Sequence, residues 1–393
     1  MKIIFLTNET DLDAKGGGAQ RSKMLVKAIE DSVPIGSTFE VLPISFYAFK
    51  RIPEAQIFEL PVSQDIEFAI NLMEILEREP GRLEELTQTL MDADYIFVDN
   101  CYLAPLIEFI RKQKQKTPHV IYISHNYEKN LKATTAKLLK WPPGKAEFYL
   151  KEVSKFENFL WDHAGLRIVC AISDAMELNK ENMKSFIHIP NGGYIREAPK
   201  ISKEKVLDFL GCKSYSLFVA SGHPPNIDGF LQGIGIDFGF IPQDSRLVLV
   251  GSSVGPIEAR ISGTKYHETF LKKGSSIPDA SDELLDNLYA YANSIVLPVF
   301  SGSGTSIKSV EALLSNQQLI ASRFAFRGID LDATLESRID FCSSQDDFKG
   351  AISRSLVAPL QLSEPRIDIL KLEWSQIQLE ATLEMKKIYQ QAK

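Results

Sequence analysis

The sequence predicts an α/β protein made of two doubly wound domains with parallel sheets, and three observations lead there. At 393 residues the chain exceeds what one hydrophobic core usually organises. Short apolar, β-branched runs alternate with longer amphipathic segments along its whole length, the pattern of a parallel α/β sheet. Near the middle, REAPKISKEK (196–205) is polar, contains Pro199 and has no apolar period, so it reads as a linker or domain edge. The expected division is a first domain at 1–198, a second at 199–365 and a terminal helix at 366–393 that returns to the first domain.

In the first half, strands are expected at 3–6, 39–42, 95–98, 120–123, 167–171 and 186–189. A second series follows at 216–220, 247–250, 270–273, 294–298, 318–321 and 339–341. In the tail, Leu370, Trp374, Ile377, Ala381, Met385 and Ile388 recur at helical steps and form one apolar stripe, best read as a docking face. Two such domains would place a cleft at the carboxyl ends of their strands, where these sheets bind ligands.

Composition narrows the function. Hydrophobic residues at 44% and charged residues at 24% describe an ordinary soluble protein, and the net charge of −7 argues against nucleic acid as the main partner. Cys101, Cys170, Cys212 and Cys342 are far apart, form no CxxC pair and suit a reducing compartment. The opening MKIIFLT is too short for a signal-peptide core, and no apolar run approaches the roughly 20 residues that span a bilayer. A cytoplasmic protein is expected, with peripheral contact to the inner face of a membrane left open.

Three segments carry candidate chemistry. KGGGAQRS (15–22) follows the first strand, and its Gly17 and Gly18 would let backbone amides approach a ligand near a helix start. The dinucleotide fingerprint needs a third glycine where Arg21 stands, which argues against an NAD site; alone, the loop is as readily a tight turn. YISHNYE (122–128) puts His125 just past an apolar strand, where it could donate to a sugar hydroxyl or move a proton, or simply cap the strand end. The other histidines (His119, His163, His188, His223 and His267) lack metal-ligand spacing.

The third segment, LPVFSGSGTSIKSVEALLSNQQLIAS (297–322), reads as strand, small-residue loop, amphipathic helix from about Thr305, and strand. Its helix start favours an anion such as a diphosphate. Lys308 and Glu311, three apart, share a face beside Ile307, Val310 and Leu314. Lys308 could meet a phosphate and Glu311 both ribose hydroxyls; the plain alternative is a surface ion pair. The string is not a P-loop, since no GK[ST] follows at the required distance.

GSGTSIKSVEALLSNQQLIASRFAFRG (302–328) resembles the donor-binding segment of the GT-B glycosyltransferases, specifically the large retaining group 1, or family 4-like, that includes many bacterial polysaccharide transferases. GGGAQ, SHNYE, CAISDAMEL (170–178), IPNGG (189–193), FVASGHPPNIDGF (218–230), LVLVG (247–251) and LYAYANSIVLP (288–298) stand in the order that group has, over almost the whole chain. The resemblance implies two Rossmann-like domains facing across a cleft. It implies transfer of a sugar from a nucleotide-diphosphate-sugar to a glycan, lipid-linked or protein acceptor, with retention. The nucleotide-sugar is then substrate, and neither cofactor nor metal is expected.

Position by position, Glu311 matches the second glutamate of the group's pair, which holds the donor ribose, whereas Ser303 stands where the first would be. Gly304, Thr305, Ser306 and Ile307 match the loop on the donor sugar and phosphates. In SGHPPNIDG (221–229), Gly222 and Asn226 fall in the donor-binding stretch, but Asp228 occupies the expected lysine position and His223 is the sole potential base. Lys308 is therefore the expected diphosphate partner, helped by Arg323 or Arg327. His125 matches the histidine facing the transferred sugar, Gly17 and Gly18 the loop near phosphates and acceptor, and Ile277 a backbone contact to the base.

From Lys129 to Lys155 seven lysines face two acids, with Trp141, Phe148, Tyr149 and Leu150 interleaved, which suggests either a solvated insertion or a surface for anionic lipid or a lipid-linked acceptor. Two rival functions share the resemblance: a nucleotide-sugar epimerase, and a catalytically degenerate sugar-nucleotide-binding protein.

Overall fold

A computed structural model describes residues 1–9, 11–13, 17–44, 62–113, 118–180, 182–358 and 367–391. The chain divides into two units, Met1–Pro190 with Ser375–Lys393, and Asn191–Trp374.

The first unit runs β1 (Lys2–Thr7), α1 (Gly17–Glu30), β2 (Thr38–Pro43), α2 (Gln64–Glu77), α3 (Pro80–Met91), β3 (Tyr95–Asp99), α4 (Ala104–Lys112), β4 (His119–Ser124), α5 (Glu128–Leu138), α6 (Pro143–His163), β5 (Leu166–Val169), α7 (Ile172–Leu178) and β6 (Ile187–His188). Its six strands are parallel in the order β2-β1-β3-β4-β5-β6, so the direction of winding reverses between β1 and β3. Every residue of β3 is buried, as a strand covered on both faces requires. Ile4, Leu6, Ile96, Val98 and Tyr122 belong to a core shared with α2, α4 and α6, while Ile3, Phe5, Phe97 and Ile121 alternate to the other face.

The second unit runs α8 (Lys203–Leu210), β7 (Ser214–Val219), α9 (Pro224–Gly233), β8 (Ser245–Val250), α10 (Val254–Ile261), α11 (His267–Lys273), β9 (Gly274–Ile277), α12 (Asp282–Tyr291), β10 (Ser294–Leu297), α13 (Ile307–Leu314), β11 (Leu319–Ala321), α14 (Ala333–Glu336), β12 (Ile339–Phe341) and α15 (Gln345–Val357). This sheet is also six-stranded and parallel, in the order β12-β11-β10-β7-β8-β9, and reverses between β7 and β10. Apolar cores cover its two faces, one around Leu217, Val248 and Leu313, the other around Phe218, Phe230 and Phe348.

Three expectations need correction. The stretch 270–273 is the end of α11, not a strand: Phe270 is buried against the Phe238 ring, and the strand begins at Gly274, where a Cβ would come within 2.7 Å of the Phe270 ring. The stretch 196–205 is not a plain linker, since its last residues open α8 and Arg196 is drawn inward. The division between units falls after Pro190 rather than after 198. The reason is the IPNGG motif: Gly193 N–H donates to Leu372 O and Trp374 N–H to Gly193 O, and a Cβ on Gly193 would lie 3.1 Å from Glu311 N. A Cβ on Gly192 would come within 2.8 Å of the Trp374 indole, so only glycines allow this approach.

The tail begins as a 3₁₀ turn (Ile367–Leu372) and continues as α16 (Trp374–Gln391). Trp374, Ile377, Ala381 and Met385 are buried, whereas Leu370 is exposed and Tyr389 takes the inward place next to Ile388. Tyr389 meets the Tyr95 ring edge-on at 5.3 Å, and Gln378 donates to Asp31. Among the described residues no helix is long and apolar enough to cross a membrane.

Candidate functional site

Open α/β sheets bind ligands outside the carboxyl ends of their strands where the winding reverses. In the second unit that point lies between the ends of β7 and β10. After β7 the chain turns through Ser221 and Gly222 into α9; Gly222 N–H donates to Ser252 Oγ at 2.8 Å, and a Cβ there would press on Ser252 O at 3.1 Å. Asn226, in the first turn of α9, donates to Ser221 O and accepts a hydrogen bond from the Lys308 ammonium. That bond crosses the reversal. At Gly229 a Cβ would fall 2.1 Å from Pro298 O, so α9 lies directly against the chain leaving β10.

After β10 comes the small-residue loop. Gly302 and Gly304 have φ of +128° and +67°, a region β-branched residues avoid. Arg327 Nη2 donates to Ser303 O at 2.8 Å and clasps this loop. Thr305 is 8% exposed; its carbonyl accepts from Asn191 Nδ2, and its hydroxyl has no hydrogen-bond partner. The Ser309 hydroxyl, fully buried one turn later, has none either. Such buried groups cost about 1–3 kcal/mol each unless something supplies a partner. The helix begins at Ile307 with Ser306 as its N-cap, two residues later than the sequence suggested. Its first amides are those that no intrahelical acceptor can serve.

Burial, and then the neighbouring Arg327 charge, lower the Lys308 ammonium to about 8. Lys308, in the first turn of α13, thus carries its charge under that of Arg327 at a helix end whose dipole favours negative charge. Arg323 takes no part: it pairs with Glu336 at 3.0 Å and lies over the Phe341 ring.

Glu311, one turn along α13, is 13% exposed at its side chain and accepts from Arg196 Nη2 at 3.0 Å. Burial raises its carboxyl despite that pairing. Lys308 and Glu311 therefore point to different internal partners and are not the surface ion pair of the plain alternative. Ile277 is the last residue of β9; its carbonyl accepts from Gly251 N–H and its side chain packs on the adjoining core.

In the first unit the reversal lies between β1 and β3, and Thr7 and Asp99, which end those strands, are direct partners in the ladder. The buried Asp99 carboxylate accepts from Thr7 Oγ1 at 2.8 Å, from Ser22 Oγ at 2.7 Å, and pairs with His125 Nε2 at 2.5 Å. Burial alone would raise Asp99, but His125 and the two hydroxyls hold it below the usual carboxylate range. Asn100 follows with φ of +83°, a conformation uncommon outside glycine and typical of constrained sites. His125 O accepts from Cys170 Sγ, fixing the ring from its backbone side.

Gly17 and Gly18 begin α1, while 15 and 16 of the glycine segment lie outside the described residues. A Cβ on Gly18 would sit 3.0 Å from Glu9 Oε1. Glu9 is raised by burial and by the Asp99 charge, with His125 opposing. Arg21, the residue that breaks the dinucleotide fingerprint, is buried and donates to Ile189 O at 2.8 Å, so its task is structural. Asp99, Glu9, Asn191 and Arg196 were not singled out from sequence; the one available signal was an acid closing an apolar strand in YIFVD.

The lysine-rich segment differs from its expected surface. Trp141 and Tyr149 are core residues at 6% and 4% exposure, and Lys132 is buried over the Tyr102 ring. Phe148 is exposed, together with Lys137, Lys140, Lys145, Lys151 and Lys155. Among the described residues no group of three or more His, Cys, Asp or Glu side chains could hold a metal ion.

No known family's sequence pattern matches the chain, and no characterised protein matches it in sequence. Solved structures do match in fold. A sucrose-phosphate synthase from Thermosynechococcus elongatus superimposes with a TM-score of 0.67 at 16% identity, over 100% of this chain and 98% of that one. The Anabaena protein HepE in complex with UDP-glucose gives 0.60 at 13% identity, over 98% and 100%. The E. coli trehalose-6-phosphate enzyme bound with UDP-2-fluoro glucose gives 0.61 at 13%, over 98% and 99%. The chain has the fold of these structures along its whole length, which is the GT-B fold.

Proposed function

We propose that this protein is a glycosyltransferase that takes a sugar from a nucleoside diphosphate sugar, with retention, as the resemblance to the retaining group suggests. The observation that carries this reading is the buried Lys308 ammonium at the start of α13, under the positive charge of Arg327, donating to Asn226 where the second sheet reverses. A diphosphate would neutralise the two cations, accept from the first amides of α13 and meet the unpartnered hydroxyl of Thr305. Gly304, Ser306 and Ile307 supply the surrounding backbone, Gly222 and Asn226 the facing turn, Glu311 an acceptor for a ribose hydroxyl and Ile277 a contact near the base. The charge of the departing nucleotide is then met by the protein itself, with no metal assigned a part.

The His125–Asp99 pair of the first unit supplies an oriented imidazole for a sugar hydroxyl, and Gly17 and Gly18, which open α1, belong to the loop assigned to phosphates and acceptor. UDP-sugars are the first donors to examine, because structures of the fold neighbour HepE hold UDP and UDP-glucose. The test is calorimetric titration with UDP and UDP-glucose, followed by UDP release in the presence of candidate acceptors. Absence of binding to every nucleoside diphosphate would remove the reading. Sugar conversion without acceptor or nucleotide release would favour an epimerase, and binding without turnover a degenerate transferase.

The exposed lysines of α5 and α6 around Phe148 support a lipid-linked acceptor or contact with an anionic lipid surface. Sedimentation with phosphatidylserine vesicles tests that contact; no binding at low salt would end it.

A further inference from the structure

Arg196 lies in a segment whose sequence suggests only a connection, yet its side chain is 16% exposed and reaches two acids. Nη2 lies 3.0 Å from Glu311 Oε2 and Nη1 lies 3.5 Å from Asp286 Oδ1. The guanidinium stacks 4.7 Å from the centroid of the buried Tyr289 ring, which fixes its plane. The charged and titratable groups facing Glu311 are thus Arg196 from the segment before α8 and Asp286 and Tyr289 from α12. Lys308, on the same helix as Glu311, turns to Asn226 instead.

We infer that Arg196 is a positioning residue of the nucleotide site: it commits one oxygen of Glu311 to its guanidinium and leaves the other, in fixed orientation, to accept from a ribose hydroxyl. This deepens the glycosyltransferase reading and rests on it for the ligand. Without the guanidinium, two carboxyls would share a poorly hydrated corner, and burial and mutual repulsion would both favour protonation of Glu311. A protonated Glu311 has lost part of its accepting capacity. Arg196 thereby acts through Glu311 and does not itself touch the donor.

The experiment is UDP binding by calorimetry from pH 6 to 8.5 for the wild type, Arg196→Lys, Arg196→Ala and Glu311→Gln. In Arg196→Ala, affinity at pH 6 should fall about tenfold, or about 1.4 kcal/mol, and recover toward the wild-type value at pH 8.5. Arg196→Lys should restore most of the loss, and Glu311→Gln should bind weakly without extra pH dependence. Wild-type affinity in Arg196→Ala, or a loss equal at every pH, overturns the assignment. Should the wild type fail to bind UDP at all, the donor reading falls, and carbon-13 carboxyl titration of Glu311 in the ligand-free protein still decides the clamp. A higher midpoint in Arg196→Ala than in the wild type supports it; an unchanged midpoint overturns it.

Discussion

The Lys308 ammonium donates to the side-chain carbonyl of Asn226 across the reversal point of the second sheet, and the neighbouring charge that acts on it is the cation of Arg327. A buried cation in that position destabilises the protein that carries it. Its value of about 8, against an ordinary 10.5, means the unfolded chain binds the proton more tightly than the native one. The penalty is full below pH 8 and fades as pH rises toward 10.5. Lys308→Met should therefore raise stability by about 1 kcal/mol at pH 7 while weakening UDP binding by about 10- to 100-fold. Denaturant unfolding and calorimetry on the same preparations check both signs. A loss of stability would refute the first, and unchanged affinity the second.

Asp99→Asn should lower turnover by about 10²- to 10⁴-fold, the range over which a correctly oriented imidazole acts. Asp99 is held below its ordinary 3.8, so it contributes stability above that pH and loses the contribution as pH falls through its folded value. The variant should thus be less stable than the wild type at pH 7, with the difference narrowing under acid. Unfolding curves at pH 7 and pH 3 provide the comparison, and a constant difference would contradict it.

Glu157 closes the start of α5: its carboxylate accepts from Glu128 N–H at 2.6 Å and Lys129 N–H at 3.0 Å. It is fully buried, and burial, with the Glu128 charge, raises it well above the ordinary carboxyl value. A raised carboxyl makes the native state bind more protons, so this group's contribution falls as pH climbs from 4.5 toward the folded value. Glu157→Gln keeps an acceptor and removes the charge; it should be neutral or stabilising at pH 7. Glu157→Ala strands both amides and should cost about 1–3 kcal/mol. Equal losses in the two variants would mean that the charge itself is needed.

Gly229→Ala places a Cβ 2.1 Å from the Pro298 carbonyl, a contact that only displacement of α9 relieves. Stability should fall by about 1–3 kcal/mol, and UDP affinity should fall with it because Asn226 rides on the same helix. Gly255→Ala, on α10 with nothing within 4 Å, is the control and should be neutral or slightly stabilising. A tolerated Gly229→Ala would mean that α9 is not tightly seated.

What the sequence revealed and what it hid follow from chain distance. The strand, loop and helix around Leu297–Leu314 could be read because every signal, from loop glycines to Lys308 and Glu311, lies within a few turns. The His125–Asp99 pair could not, because the two are 26 apart and meet only when β3 and β4 align in parallel. Arg196 was hidden for the opposite reason: a polar neighbourhood looks solvated, and nothing local indicates acids waiting on α12 and α13. The mistaken strand at 270–273 arose from Phe270, a buried aromatic on a helix too short to display its period.

The crowding of hydroxyls around Asp99 decides which face of the imidazole is available. A carboxylate that accepts from Thr7 and Ser22 must also accept from the histidine, so Nε2 carries the shared proton. In its neutral tautomer the ring then offers the opposite nitrogen, Nδ1, as a bare lone pair. On the proposed function a sugar hydroxyl arriving there would have to be the donor, and a substrate whose corresponding group is a methyl ether or fluorine would find nothing to give.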